Sequence, residues 1–203
     1  LRSNLSYQDS DRKESKVYLV TSSISGEGKT FLATNLAVVY ANAGKKTLLI
    51  GADLRRPKLF ESFANDNLEG LSSVVAGEKD IQDVVISSEV ENLDVIVSGP
   101  SPSNPSEIFM NDRFIDVMNN IKESYDKIVI DTAPLGLVAD AYMIMKHTDI
   151  NLYVVRQGFT EKNLLKFIND IHTKKRIEGL FLILNDVSAG SGVYGYGYGY
   201  GYG

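Results

Sequence analysis

The chain reads as an α/β fold, a parallel β-sheet flanked by helices on both sides, and three observations predict it. Short β-rich runs alternate with helical patterns from Val17 onward. Several of those runs (LLI, IVI, FLIL) are continuously apolar, as strands buried on both faces require. The chemically distinctive residues fall just after the runs, where ligands bind in open parallel sheets.

The runs are Val17–Thr21, Thr47–Ile50, Leu93–Val97, Lys127–Asp131, Asn151–Val155 and Leu180–Leu184. Between the first two, Lys29–Ala43 is apolar almost all round, which predicts a buried helix ending at Gly44. Phe114, Ile115, Met118 and Ile121 share one helical face, and Leu164, Leu165, Ile168 and Ile171 share another. Residues 1–16 are polar with few apolar anchors, a lead-in expected to pack weakly. Residues 17–190 form the domain. Residues 191–203 end in VYGYGYGYGYG, where glycine at every second place predicts a flexible tail.

Composition narrows the function. The 203 residues carry 21 Lys+Arg against 26 Asp+Glu, a formal charge of −5 that argues against a dedicated nucleic-acid binder. Zero cysteines exclude a disulfide framework and a thiolate nucleophile. The two histidines, His147 and His172, are far apart, which disfavours a histidine-rich metal site. No apolar run approaches the roughly 18 residues of a membrane span, and nothing resembles a signal peptide, so a cytoplasmic location is expected. The chain begins at Leu1 rather than Met and reads as a fragment of a longer protein.

Ser23-Ile24-Ser25-Gly26-Glu27-Gly28-Lys29-Thr30 follows an apolar run and opens a helix. Its GK[ST] ending is the core of a P-loop, with Ser23 in place of the usual first glycine. Gly26 and Gly28 let backbone N–H groups turn inward around phosphate oxygens, and the helix N-terminus adds partial positive charge. Ser25 to Phe31 is therefore the candidate nucleotide contact, with Lys29 supplying a cation to the β/γ-phosphates and Thr30 a hydroxyl to Mg²⁺. The plainer reading is a glycine turn that merely starts a helix. Asp131, at the end of a buried run, stands where a Walker B carboxylate holds Mg²⁺; a turn-capping aspartate is its alternative. The segment Leu48–Pro57 places Asp53, Arg55 and Arg56 at the same rim, suited to phosphate contacts, to carboxylate pairing between subunits, or to a solvated basic turn.

Together these segments resemble the bacterial tyrosine kinases, cytoplasmic domains associated with capsule and exopolysaccharide export. The resemblance rests on the loop Ser23–Thr30, on Leu48–Pro57, on Ser98-Gly99-Pro100-Ser101-Pro102-Ser103-Asn104-Pro105-Ser106-Glu107, on Asp131-Thr132-Ala133-Pro134 and on the tyrosine cluster. It implies a P-loop NTPase fold of the deviant-Walker, partition-ATPase-like kind, turned to protein phosphorylation with ATP and Mg²⁺. It further implies rings of subunits in which each tail enters a neighbour's site, with Tyr194, Tyr196, Tyr198, Tyr200 and Tyr202 as phosphate acceptors. A fused or separate membrane-spanning partner would hold the domain at the inner face of the cell membrane, and a tyrosine phosphatase would oppose it. By the same resemblance Asn185 contacts adenine, although a strand-ending turn residue is the plain alternative. A tyrosine hydroxyl has a pKa near about 10 and needs a base. Asp53 is the candidate, placed also at the metal's water shell; with Lys29 and Arg55 it makes the catalytic set, and with Thr30 and Asp131 the metal set.

Two departures stand out. The family's second motif reads Asp-x-Asp-x-Arg, whereas this chain has Gly51-Ala52-Asp53-Leu54-Arg55, so one carboxylate is missing and phosphoryl transfer is expected to be weakened. The family's assembly pattern, Glu-x-x-Arg-x-x-Arg, is matched here only by Arg2 as its final arginine. A ring is expected of the intact protein, while in this fragment assembly is expected to be impaired, with a monomer as the alternative. Two other readings compete: a partition-type ATPase switch, which would normally carry an extra lysine near Ser22 and Ser23, and a nucleotide-binding scaffold without catalysis.

Overall fold

The structure, a computed structural model, describes residues 15–56, 69–136, 139–175 and 177–188. Seven strands form one sheet: β1 (Lys16–Ser22), β2 (Thr47–Ala52), β3 (Ile86–Ser87), β4 (Leu93–Ile96), β5 (Lys127–Thr132), β6 (Ile150–Arg156) and β7 (Leu180–Asn185). Their order is β3-β4-β2-β5-β1-β6-β7, and every pairing is parallel except the antiparallel β3–β4. All six expected strands are present within a residue or two of their expected ends. The unforeseen β3 has only two residues, too short to carry a hydrophobic pattern.

The helices are α1 (Lys29–Ala41), α2 (Leu71–Ala76), α3 (Ile81–Val84), α4 (Pro105–Met110), α5 (Asp112–Ser124), α6 (Asp140–Met145) and α7 (Lys162–Lys175). They cover the sheet on both faces. On one face Tyr18, Val20, Leu49, Val129 and Leu152 of the central strands pack against Ala33, Leu36, Ala37 and Tyr40 of α1. On the other, Leu19, Ile50, Ile130 and Tyr153 meet Phe114, Met118 and Ile121 of α5, Ile144 of α6, and Ile168 and Ile171 of α7. Burying each such large apolar side chain stabilises the fold by about 1.5–3 kcal/mol. That is why the central strands are apolar on both sides while the edge strand β7 leaves Leu182 and Leu184 exposed.

Two helix expectations need correction. α1 is not buried all round: Phe31 is 69% exposed, since it lies on the first turn at the sheet's rim, and Val39 also reaches solvent. On α7, Leu165 is exposed while Leu164 is half-buried, so the inward stripe runs through Leu164, Ile168 and Ile171. No helix of the described residues is long and apolar enough to cross a membrane. The lead-in up to residue 14 and the tyrosine tail, with Tyr194, Tyr196, Tyr198, Tyr200 and Tyr202, lie outside the described residues.

Candidate active site

The site forms where β1, β2, β5, β6 and β7 end. β1 runs into the loop 23–28, whose Gly26 and Gly28 have φ of 89° and 96°, left-handed values that side chains disfavour. A Cβ on Gly28 would also overlap the amide nitrogen of Asn185. That amide donates to the Glu27 carbonyl at 2.9 Å. The loop then feeds α1, so its N–H groups and the helix N-terminus open on one cavity of about 210 Å³. Ser25, Gly26, Gly28, Lys29, Thr30 and Phe31 line it on one side, Asp53 and Arg56 on the other.

The candidate nucleotide residues therefore do not all play one part. Glu27 is fully buried and turned inward: it accepts the Ile24 N–H at 2.8 Å and a short hydrogen bond from the Thr160 hydroxyl. Only its backbone is placed to reach a phosphate. Arg156 donates to the Gly26 carbonyl at 3.0 Å, pairs with Asp186 at 3.0 Å, and lies over the Phe159 ring. Ser23 shares a 2.8 Å hydrogen bond with Tyr153, whose hydroxyl burial holds in its protonated form. The loop is thus braced by β6, β7 and the turn between β6 and α7.

The metal candidates converge. The Thr30 hydroxyl donates to Asp131 Oδ2 at 2.7 Å, and Asp131 is buried at the end of β5. A hydroxyl and a carboxylate oxygen are hard donors suited to Mg²⁺, which commonly takes one or two carboxylates plus substrate phosphates. Among the described residues no three His, Cys, Asp or Glu side chains cluster as an all-protein cage. The Thr30 hydroxyl and the Asp131 carboxylate fit an ion completed by phosphate. Asp53 follows β2, and its Oδ1 accepts the N–H groups of Arg55 at 3.2 Å and Arg56 at 3.0 Å, which fixes the turn.

Arg55 is not brought into the cavity. Its Nε donates to Asp140 Oδ2 at 3.0 Å and its Nη2 to the Ser106 hydroxyl at 3.3 Å, while that hydroxyl donates to Asp140 Oδ1 at 2.6 Å. The hydrogen bond to Asp140 raises the guanidinium pKa, with desolvation opposing it, so Arg55 keeps its charge. This triangle ties the Asp53 turn to α4 and α6. Ser106 belongs to the proline-rich run singled out in the sequence; Asp140 gave no signal, because a lone carboxylate before an apolar helix reads as solvent-facing. Arg156, Phe159 and Thr160 were likewise invisible, their neighbours being about 130 residues away.

Gly51 pairs in register with Asp131 across β2 and β5. A carboxylate at that position would stand on the same face of the sheet as Asp131. A larger cavity of about 730 Å³, lined by Lys46, Arg113 and Tyr125 among others, lies at the opposite ends of the strands and has no phosphate-binding loop.

A glycine-bent phosphate loop at the carboxyl ends of a parallel sheet, with a hydroxyl and a carboxylate meeting beside it, defines the nucleotide-binding class of P-loop ATPases. A family profile described as an AAA domain matches residues 15–178. The tyrosine-protein kinase YwqD of Bacillus subtilis (strain 168) is 38% identical over 162 residues, covering 80% of this chain and 68% of the relative. The kinase domain of the Escherichia coli tyrosine kinase ETK superposes with a TM-score of 0.83 at 31% identity, covering 98% of this chain and 78% of that one. The septum site-determining protein MinD of Pyrococcus horikoshii OT3, solved with Mg-ADP, has a TM-score of 0.68 at 24% identity, covering 84% and 70%, and shares the fold alone. The chain belongs to the bacterial tyrosine-protein kinases. Its relationship to the partition- and division-type ATPases is one of architecture.

Proposed function

We propose that this chain binds ATP in the cavity between the phosphate loop and the Asp53 turn, and transfers the terminal phosphoryl group to tyrosines of a second copy. The observation that carries this is the Thr30–Asp131 contact at 2.7 Å, with Asp53 on the facing wall of the same cavity. In this reading the loop N–H groups and Lys29 bind the phosphates, and Thr30 and Asp131 hold Mg²⁺. When bound, the ion neutralises charge on the phosphate oxygens. Asp53 accepts the phenolic proton through Oδ2, since Oδ1 is already engaged with two backbone N–H groups. Asn185, bonded to the loop and half-exposed, flanks the nucleoside end.

Residues 191–203 supply the acceptors Tyr194 to Tyr202, residues 17–190 the kinase, and residues 1–16 belong to the oligomerisation segment. Each phosphotyrosine adds roughly −1.5 to −2 charges to an already acidic chain, which favours release of a modified tail from its neighbour. The biological setting we propose is regulation of capsule or exopolysaccharide polymerisation and export. There the domain lies at the inner membrane face beside a membrane-spanning partner, and a phosphatase reverses the modification.

Intact-mass spectrometry after incubation with Mg·ATP tests this, run beside Gly51→Asp. Phosphates mapping to Tyr194–Tyr202 support it. If neither protein gains any at concentrations where copies meet, and a chain extended to include the assembly segment also stays unmodified, the reading falls. One observation favours a second reading, a nucleotide-binding scaffold: glycine replaces the carboxylate beside Asp131. Phosphate gained only by Gly51→Asp would mark this chain as a disabled kinase.

A further inference from the structure

Two consecutive arginines follow Asp53, and the structure divides their labour. Arg55 is committed to Asp140, a carboxylate only 2% exposed, and to Ser106. Its guanidinium fixes the turn and is not among the groups lining the cavity. Arg56 is its converse. Its backbone N–H is pinned by Asp53 Oδ1 at 3.0 Å, while the exposed residue lines the 210 Å³ cavity opposite Gly26, Gly28 and Lys29. The cavity thus has a cation on each wall, Lys29 from the loop and Arg56 from the turn, with Asp53 beside the second.

We infer that Arg56 is a catalytic residue acting within its own subunit, its guanidinium contacting the equatorial oxygens of the phosphoryl group as that group moves. The inference rests on the kinase reading above. In the step, the bond between the γ-phosphorus and the β–γ bridging oxygen breaks, and its electron pair leaves with ADP. A bond forms from the tyrosine hydroxyl oxygen to the same phosphorus, and the phenolic proton passes to Asp53. Charge spreads over three equatorial oxygens between the two walls, and Lys29 belongs to the loop wall. A planar fork of five donors suits the other side. Preorganised cations at developing charge are the main source of catalysis in this reaction class. One turn therefore carries both the base and the cation, and the hydrogen bond from the Arg56 N–H to Asp53 sets them three residues apart in fixed relation.

The test compares binding of Mg·ADP and of Mg·ADP with fluoroaluminate, a mimic of the phosphoryl group in flight, so that it does not depend on turnover. Arg56→Gln should bind Mg·ADP like the parent but lose at least about tenfold in affinity for the fluoroaluminate complex. Arg56→Lys should recover part of that loss. Arg55→Gln, by contrast, should lower the unfolding temperature, which Arg56→Gln leaves in place. Equal losses on both ligands, no loss on either, or a parent that binds no tighter with fluoroaluminate would overturn the role given to Arg56. A parent that fails to bind Mg·ADP at all would instead overturn the nucleotide reading, so the two failures are distinct.

Discussion

Gly51 and Asp131 face one another across β2 and β5, and Asp131 in turn receives the Thr30 hydroxyl. A carboxylate at Gly51 would add a second hard oxygen donor to the same face of the sheet. Gly51→Asp should therefore raise tyrosine phosphorylation, by on the order of tenfold or more, with little change in nucleotide affinity, because phosphate binding rests on the loop. Timed phosphotyrosine measurement beside a nucleotide titration checks this; unchanged rates would show that the missing acid is not limiting.

Gly28→Ala should abolish nucleotide binding. Alanine resists the φ of 96°, a strain of about 1–2 kcal/mol, and its Cβ would overlap the Asn185 amide. Asn185→Ala in the same background should relieve the overlap but not the strain. Partial recovery in the double variant, read by calorimetric titration with Mg·ADP, is the expected outcome.

Asp140→Asn should destabilise the fold by about 2 kcal/mol. Breaking a fully buried pair costs more, but the Arg55 side chain is 40% exposed and solvent softens its loss. Urea unfolding measures it. A change below a few tenths of a kcal/mol would mean that Ser106 and water replace the contact.

His147 lies against Phe114 with ring centroids 6.4 Å apart, and burial, then Lys122 and Lys146, lower its pKa. The folded state therefore resists the proton that the unfolded chain accepts. The stability this group contributes is present above the unfolded pKa of about 6.5 and is lost as pH falls below it toward the depressed folded value. His147→Gln should flatten the acid side of the stability curve. Urea midpoints at pH 7.5 and pH 5, compared between parent and variant, isolate this residue from the carboxylates that titrate in both.

Much of this was legible in the residues. Buried parallel strands need apolar side chains on both faces, so Leu48–Ile50 and Ile128–Ile130 announced themselves, whereas the equally apolar Leu180–Leu184 is an edge strand that leaves Leu182 and Leu184 exposed. A loop that cradles phosphate needs glycine where Gly26 and Gly28 stand. What was not legible depends on contacts across the sheet. Glu27 reads as a solvated acid until Thr160 covers it. Arg55 and Arg56 are chemically identical neighbours, and only Asp140, 85 residues from the first, decides which one turns inward. Phe31 and Leu165 are apolar yet exposed because one stands at the rim of the sheet and the other beside the inward stripe of α7.

The Asn185 amide on the Glu27 carbonyl joins the phosphate loop to β7, 158 residues later. Whatever orders one end must, by reciprocity, be felt at the other. Nucleotide in the loop should slow hydrogen exchange along β7, and strain placed on β7 should loosen the grip on nucleotide. The edge strand β7 is thus a lever whose fulcrum is the phosphate cradle.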